Sequence, residues 1–280
     1  MRQNLSLNQI RAKLKPKSPV WDVHVHPFPV PGHGRDASPE QAASYMLSQA
    51  DRAGIERMVL MNLGRVWSYA PDMKDCRDAN DRALEVARIA PDRFICFAYV
   101  NPIQTQAAIE EIDRQVRKNR MAGVKLWVAL KASDSRVIEV VKHAAKLGVP
   151  VLQHVWIKSA GNLPGESTPD DVAVLAEAVP EARIIMGHLG GAGIRGIESV
   201  RHLNNVFVET GGSEPEQGIV ERAVDRLGPD RVIFGSDSNG RQAAVQLGKV
   251  LGANLSDEIK EKILWRNLKA ILPNEAKPSP

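Results

Sequence analysis

The feature of this sequence that most constrains its fold is a repeat of about 25 to 35 residues, in which a short apolar run is followed by a helix-patterned segment. Eight apolar runs follow this pattern: Val20–Val25, Arg57–Asn62, Phe94–Val100, Gly123–Val128, Pro150–Val155, Arg183–His188, Val206–Thr210 and Arg231–Ser236. The amphipathic segments between them include Ser38–Arg52, Asp75–Ile89, Gln104–Asn119, Asp134–Leu147, Pro169–Val179 and Glu216–Leu227. Parallel strands are joined by helical crossovers of this kind, so the repeat predicts an α/β fold.

The length of the chain favours a closed sheet over an open one. Eight strand–helix units typically form a barrel of about 250 residues, and this chain has 280. We therefore predict a (β/α)₈ TIM barrel over residues 19–273, preceded by an N-terminal arm over residues 1–18. An extra C-terminal helix is expected at Ser256–Leu272, because Ser256 suits a helix N-cap and Pro273 stops the helix. Residues 274–280 are expected to form a frayed tail.

The first apolar run carries two histidines. His24 and His26 alternate with valines, and a strand period of two places both imidazoles on one face, about 7 Å apart along the strand. Neutral imidazole is a favoured ligand for zinc and similar metals. The alternative is structural, with both histidines hydrogen-bonded at a polar strand end.

Three further polar residues lie at the carboxyl ends of later runs. His154 and His188 fall near the ends of the fifth and sixth runs, and Asp237 follows the eighth. Taken singly, each histidine could be a buried, hydrogen-bonded side chain, and Asp237 could cap the next helix. Barrel enzymes build their active sites at this end of the strands, so the five residues together predict one metal site.

Four motifs occur together in this chain: His24-Val25-His26, Gln153-His154-Val155, Gly187-His188-Leu189-Gly190-Gly191 and Phe234-Gly235-Ser236-Asp237. In this order they resemble the amidohydrolase superfamily, and in particular the amidohydrolase-related branch that includes aminocarboxymuconate semialdehyde decarboxylase and related metal-dependent lactonases and hydrolases. The likeness runs from the first strand to the final helix, where Leu264–Leu268 resembles the closing segment of that branch.

The resemblance implies that His24, His26, His154 and Asp237 bind one divalent metal ion, usually Zn²⁺, and that His188 acts in catalysis. The chemistry of the residues agrees, because a divalent cation activates bound water and polarises a carbonyl. Asp237 could accept a proton from that water, and His188 could stabilise a developing oxyanion. The same ligands would also accept Mn²⁺, Co²⁺ or Fe²⁺.

Three residues are candidates for substrate binding. Lys125 interrupts the fourth run, where some amidohydrolases carbamylate a lysine; we expect it to be unmodified and to pair with a carboxylate or a substrate anion, or else to extend to the strand end. Trp156 could line the pocket or fill the layer between strands and helices. Family members often carry a histidine shortly after the aspartate, whereas this chain continues Ser238-Asn239-Gly240-Arg241. Asn239 or Arg241 could replace that histidine in substrate recognition, or Arg241 could sit on the surface.

These observations favour a metal-dependent hydrolase of a small, carboxylated substrate, acting on a lactone, amide or related carbonyl bond. One alternative is a metal-dependent decarboxylase of the same branch, and a second is a non-enzymatic metal-binding barrel. The glycine spacing of Gly191–Gly196 also matches a dinucleotide-binding fingerprint. A dehydrogenase would leave the histidines and Asp237 unexplained.

Charge and hydropathy limit the partners and the location. The formal net charge of +4 owes much to the basic residues before Trp21, which suit a solvated arm, so no nucleic-acid partner is expected. The sequence has no apolar stretch of the roughly 18 residues that a membrane span needs, and its start lacks the pattern of a secretory signal. We therefore expect a cytoplasmic protein with a small-molecule substrate and no membrane partner. The resemblance leaves a homodimer as a further expectation.

Overall fold

The computed structural model describes residues 6, 16–65, 67–191, 193–212 and 216–274. Most of the predicted arm and nearly all of the predicted tail lie outside these residues, so both stay predictions. Lys17, at the end of the arm, pairs with Asp257 at 3.3 Å. No helix among the described residues is both long enough and apolar enough to cross a membrane.

Within the described residues, eight parallel strands form one sheet in sequential order. They are β1 (Trp21–Val25), β2 (Arg57–Leu60), β3 (Phe94–Tyr99), β4 (Gly123–Leu126), β5 (Val151–Gln153), β6 (Ile184–Met186), β7 (Val206–Glu209) and β8 (Val232–Ile233). The backbone N–H of Val23 donates to Phe234 O at 3.1 Å, and Val25 bridges to Ser238, so the last strand returns to the first. The predicted (β/α)₈ barrel is confirmed, and a doubly wound dinucleotide-binding sheet is excluded.

Helices connect the strands. They are α1 (Pro39–Ala53), α2 (Met73–Ile89), α3 (Thr105–Asp113), α4 (Ser135–Lys146), α5 (Pro169–Ala178), α6 (Ile194–Ser199), α7 (Ile219–Leu227) and α8 (Ala243–Leu251). Helix α1 begins as its sequence predicts, because Ser38 and Gln41 form a reciprocal capping box. The predicted C-terminal helix consists of α9 (Asp257–Glu261), a wide π-helical stretch over Lys262–Arg266, and α10 (Asn267–Ile271).

Among the residues that the structure describes, the buried apolar side chains form two clusters. The larger cluster lies between the strands and the helices, and the smaller one fills the amino end of the barrel. The smaller cluster includes Val23, Val59, Phe97 and Leu152 together with residues of the C-terminal helix. That helix therefore covers the amino end, and the carboxyl end is left for polar side chains.

The first strand departs from strict alternation. Its pairing with β2 shifts register between Asp22 and Val25. Val23 belongs to the inner cluster and Val25 to the outer one, although a period of two would place them on the same face. His24 lies within this irregularity and His26 follows it, and their rings lie 5.0 Å apart between centroids.

Candidate active site

Two histidines and one aspartate converge at the carboxyl end of the barrel. His26 Nε2 lies 3.4 Å from Asp237 Oδ1, and His24 Nε2 lies 3.6 Å from the same oxygen. Both histidines are buried, whereas the Asp237 side chain is 16% exposed. Asp237 adopts a φ of +58°, in the left-handed region that few residues other than glycine enter. The turn after β8 therefore aims this carboxylate at the end of β1.

Hydrogen bonds at Nδ1 fix which nitrogen of each imidazole carries the lone pair. His24 Nδ1 lies 3.1 Å from Glu209 Oε1, and His26 Nδ1 lies 2.8 Å from the carbonyl oxygen of Met61. A carbonyl or an ionised carboxylate can only accept, so each ring donates from Nδ1. Nε2 carries a lone pair in the neutral form of an imidazole, and both Nε2 atoms face the carboxylate of Asp237. Acceptor atoms that face a negative oxygen repel it, and a cation between them would remove this repulsion.

His188 adds a third imidazole to this arrangement. Its Nδ1 lies 3.1 Å from Val155 O, which leaves Nε2 free at 3.8 Å from Asp237 Oδ2. Its backbone N–H donates to Glu209 Oε1 at 2.6 Å, and its ring stacks on His24 at 5.3 Å. His188 therefore lies near Oδ2 of Asp237, whereas His24 and His26 lie near Oδ1.

Burial determines the charge of this cluster. Burial and the charge of Lys125 lower the pKa of His24 well below its usual value, and burial lowers that of His188 to about 3. Both rings are therefore neutral near pH 7. Burial alone would raise the pKa of Asp237, but its contact with His26 and the proximity of His24 and His188 hold it well below the usual range. The site combines neutral nitrogen donors with an ionised carboxylate.

This donor set fits a divalent metal ion. Ligands about 2.1 Å from one cation in tetrahedral geometry lie about 3.4 Å from each other. The separations of 3.4 and 3.6 Å between the Nε2 atoms and Asp237 Oδ1 agree with that spacing. Donation of the second ring nitrogen to a carboxylate or a carbonyl is also typical of metal-binding histidines. His24, His188 and Glu209 form a second group of close potential ligand atoms, but Glu209 already accepts from both histidines.

His154 is oriented differently from the other histidines. Its ring lies 4.8 Å from that of His188, but its Nε2 is 3.0 Å from Glu166 Oε1. Of its two nitrogens, Nδ1 is therefore the one left without a proton. The ligand atoms that converge within 4.8 Å among the described residues are those of His24, His26 and Asp237, and of His24, His188 and Glu209. The role of His154 as a metal ligand stays a prediction.

Lys125 is buried against the same cluster. Its Nζ lies 3.2 Å from His24 Nε2, so the ammonium can donate to the lone pair there. Burial lowers the pKa of Lys125 to about 8, although the negative charges of Asp237 and Glu209 act in the opposite direction. The lysine points into the site rather than extending to the solvent.

Aromatic rings surround the histidines. Trp156 lies 4.9 Å from the ring of His188, and Trp67 lies 5.8 Å from that of His26. Trp127 packs edge-on against Trp67 at 6.1 Å. The side chain of Arg241, in contrast, is exposed and donates to the carbonyl oxygen of Gly240 at 3.0 Å. Trp156 therefore lies beside the cluster, and the recognition of substrate by Arg241 stays a prediction.

Two buried carboxylates support the site without having been predicted there. Glu209, at the end of β7, accepts from the ring of His24 and from the backbone N–H groups of His188 and Gly211. Its place at a strand end was the available signal, but a carboxylate at the end of the strand after the Gly191–Gly196 motif is also typical of a dinucleotide-binding site. The contact also explains the glycine in the motif Phe234-Gly235-Ser236-Asp237, because a Cβ at Gly235 would collide with Glu209 Oε2. Glu166 lies within a loop, where no pattern marked it.

A family model described as Amidohydrolase matches residues 21–273. Because this match covers most of the chain, the protein belongs to the amidohydrolase family, as the four motifs predicted. No curated protein sequence is significantly similar to the chain.

Solved structures of related fold share little sequence with the chain. The 2,6-dihydroxybenzoate decarboxylase from Rhizobium has a TM-score of 0.72 at 19% identity, over 91% of this chain and 98% of that one. The dihydroxybenzoic acid decarboxylase from Polaromonas sp. JS666, with bound manganese and 2-nitroresorcinol, has a TM-score of 0.69 at 18% identity, covering 91% and 96%. The 4-oxalomesaconate hydratase from Rhodopseudomonas palustris has a TM-score of 0.68 at 15% identity, covering 91% and 95%. At these identities the likeness establishes the shared barrel fold.

Proposed function

We propose that this protein is a metal-dependent decarboxylase, a lyase that releases CO₂ from a small carboxylic acid with a flat, unsaturated skeleton. The observation that carries the proposal is the convergence of three imidazoles on Asp237 beside tryptophan rings and the buried Lys125. Two of the structures with a similar fold are dihydroxybenzoate decarboxylases, which supports CO₂ release over the hydrolysis that the sequence first favoured.

The residues that would hold the metal are His24, His26 and Asp237, with His154 as a further ligand through Nδ1. When bound, a divalent cation would polarise an adjacent carboxylate or carbonyl oxygen of the substrate. Nitrogen and carboxylate donors suit Zn²⁺ and also Mn²⁺. Manganese is present in two of the structures with a similar fold, so both ions are candidates.

The substrate would be held by charge and by flat surfaces. Lys125 is a buried cation beside His24, and it would pair with an anionic group of the substrate. The rings of Trp156 and Trp67 flank His188 and His26, and they would contact the faces of a conjugated carbon skeleton. A rigid, flat acid satisfies both requirements together.

Decarboxylation also requires a proton. When the bond between carbon and the carboxylate breaks, its electron pair stays on the carbon, CO₂ leaves, and the carbon takes up a proton. His188 Nε2, which lies 3.8 Å from Asp237 Oδ2, carries no proton near pH 7, so it would take one from water and then deliver it to that carbon. In the hydrolysis of a lactone or amide the same side chains would take a proton from the attacking water. The two reactions are therefore distinguished by their products.

The test is an assay of purified, metal-loaded protein with 2,6-dihydroxybenzoate, other unsaturated carboxylic acids and small lactones, followed by mass spectrometry and CO₂ detection. We expect a product lighter by CO₂ with at least one acid. Ring opening of a lactone without CO₂ release would replace the proposal with a hydrolase. Metal binding without turnover of any compound would favour the non-enzymatic barrel.

A further inference from the structure

We propose that Glu166 is a positioning residue, which holds His154 in the tautomer that presents Nδ1 to the metal site. The inference rests on the proposed function for its consequence in catalysis, but the contacts that support it are independent of the reaction. Glu166 lies in the loop between β5 and α5, twelve residues after His154.

The carboxylate of Glu166 is buried and fully engaged. Its Oε1 accepts from His154 Nε2 at 3.0 Å, and its Oε2 accepts from the backbone N–H of Leu163 at 3.1 Å and pairs with Lys158 Nζ at 2.8 Å. The Glu166 side chain is 1% exposed, whereas that of Lys158 is 40% exposed. The carboxylate therefore faces inward, and the lysine offsets its charge from the solvent side.

The loop is built to keep this carboxylate in place. The backbone N–H of Trp156 donates to Ser167 O at 3.0 Å, which brings the two ends of the loop together. Gly165, directly before Glu166, packs against the backbone of the loop that follows β4. A Cβ at Gly165 would collide with Val128 O. Within the loop, the backbone N–H of Lys158 donates to Asn162 Oδ1 at 2.9 Å. These contacts fix Glu166 relative to the end of β5.

The consequence for His154 follows from donor chemistry. With Nε2–H donated to Glu166, the lone pair of a neutral ring is on Nδ1, whereas His24, His26 and His188 present Nε2. A free ring would exchange between its two tautomers. A carboxylate partner removes that freedom, and partners of this kind typically contribute 10- to 100-fold to metal affinity. Glu166 therefore fixes the tautomer of His154 before a metal ion binds.

The experiment compares Glu166→Ala, Glu166→Asp and Glu177→Gln with the natural protein. Glu177 is the matched control, because it contacts the exposed His202 at 3.4 Å on the surface. Ring ¹⁵N NMR of the metal-free protein reports the tautomer of His154, and competition with a chromophoric chelator reports the affinity for Zn²⁺. Neither measurement depends on turnover, so the absence of decarboxylation would leave this test intact.

We expect Glu166→Ala to give mixed tautomer signals for His154 and to weaken Zn²⁺ binding by about 10- to 100-fold. Glu166→Asp should restore part of the affinity, and Glu177→Gln should match the natural protein. Lys158→Met, which keeps the bond to His154 and removes the ion pair, should leave the Nε2–H tautomer unchanged. Unchanged tautomer and affinity in folded Glu166→Ala, verified by circular dichroism, would overturn the assignment.

Discussion

The two ends of the barrel are built from the same strands and have opposite chemistry. At the amino end, Trp21, Phe97 and Leu152 belong to an apolar cluster that the C-terminal helix covers, with Trp265 at 6.2 Å from Trp21. Asn267 of that helix donates to the carbonyl oxygens of Pro229 and Val232 at the start of β8. At the carboxyl end, the strands lead into the imidazoles and carboxylates of the site.

This difference indicates that the amino end contributes mainly to the stability of the fold and the carboxyl end to the proposed function. Apolar side chains at the amino end are stabilised simply by being removed from water. The polar groups at the carboxyl end lose hydration on burial, and they need partners such as Glu209 and Asp22. Asp22 accepts from the backbone N–H groups of His24 and Ser236, and burial raises the pKa of its carboxyl to about 7. We expect substitutions at the two ends to separate activity from stability.

Removal of the metal should give the largest effect and should be confined to the carboxyl end. Dialysis against a chelator is expected to reduce turnover by on the order of 10⁴-fold or more, because polarisation of the substrate is lost. Added Zn²⁺ or Mn²⁺ should restore it, as measured by initial rates and elemental analysis. Full activity in protein shown to be metal-free would contradict the metal-dependent mechanism.

Substitution of His188 by Asn should test the proton pair while the proposed ligands stay in place. We expect kcat to fall about 10³-fold with unchanged metal content, because the asparagine amide cannot take up a proton and deliver it as Nε2 of His188 would. Steady-state kinetics and elemental analysis on the same sample measure both quantities. Intact turnover would remove His188 from the mechanism and would revive the non-enzymatic alternative.

Substitution of Phe97 by Ala should show the reverse pattern. Its ring is buried within the inner cluster and packs where Gly123 leaves room for it. We expect the free energy of unfolding to fall by about 3 kcal/mol, with kcat changed less than about twofold. Urea denaturation and kinetics at 25 °C measure the two effects. A loss of kcat as large as that in His188→Asn would show that the two ends are coupled.

Substitution of Lys125 by Met should give the smallest change, with opposite signs for stability and for binding. Removal of a buried cation is expected to raise the free energy of unfolding by about 1 kcal/mol, while KM for an anionic substrate rises about tenfold. The intact mass of the natural protein should equal that of the unmodified chain. An added mass of CO₂ on Lys125 together with two bound metals would overturn the prediction of an unmodified lysine.

The sequence predicted most of the fold because its signals are local. Apolar runs, helix caps such as Ser38 and stops such as Pro273 depend on neighbours only a few residues away. The predicted strand ends were less accurate: β8 spans Val232–Ile233 rather than Arg231–Ser236. Residues after Ile233 leave regular pairing because Gly235 packs against Glu209 and the following turn aims Asp237 into the site.

Helices α6 and α8 were not among the amphipathic segments named from the sequence. Neither has a side-chain N-cap bond, and α8 contains Gly248, so the local signals there are weak. Tertiary packing stabilises these helices, because Leu247 and Val250 of α8 belong to the outer cluster. A pattern of neighbouring residues cannot show this.

The sequence by itself determined the order of strands and helices, the end of the barrel that carries the site, and the histidines and aspartate that gather there. Parallel strands share one direction, so residues at their carboxyl ends meet whatever the details of packing. Only the tertiary structure decided which ring nitrogen each histidine presents, and that Glu209 and Glu166 fix this choice. Those contacts join residues as far apart as His24 and Glu209, and hydrogen-bond partners at such separations depend on distances that no local pattern contains.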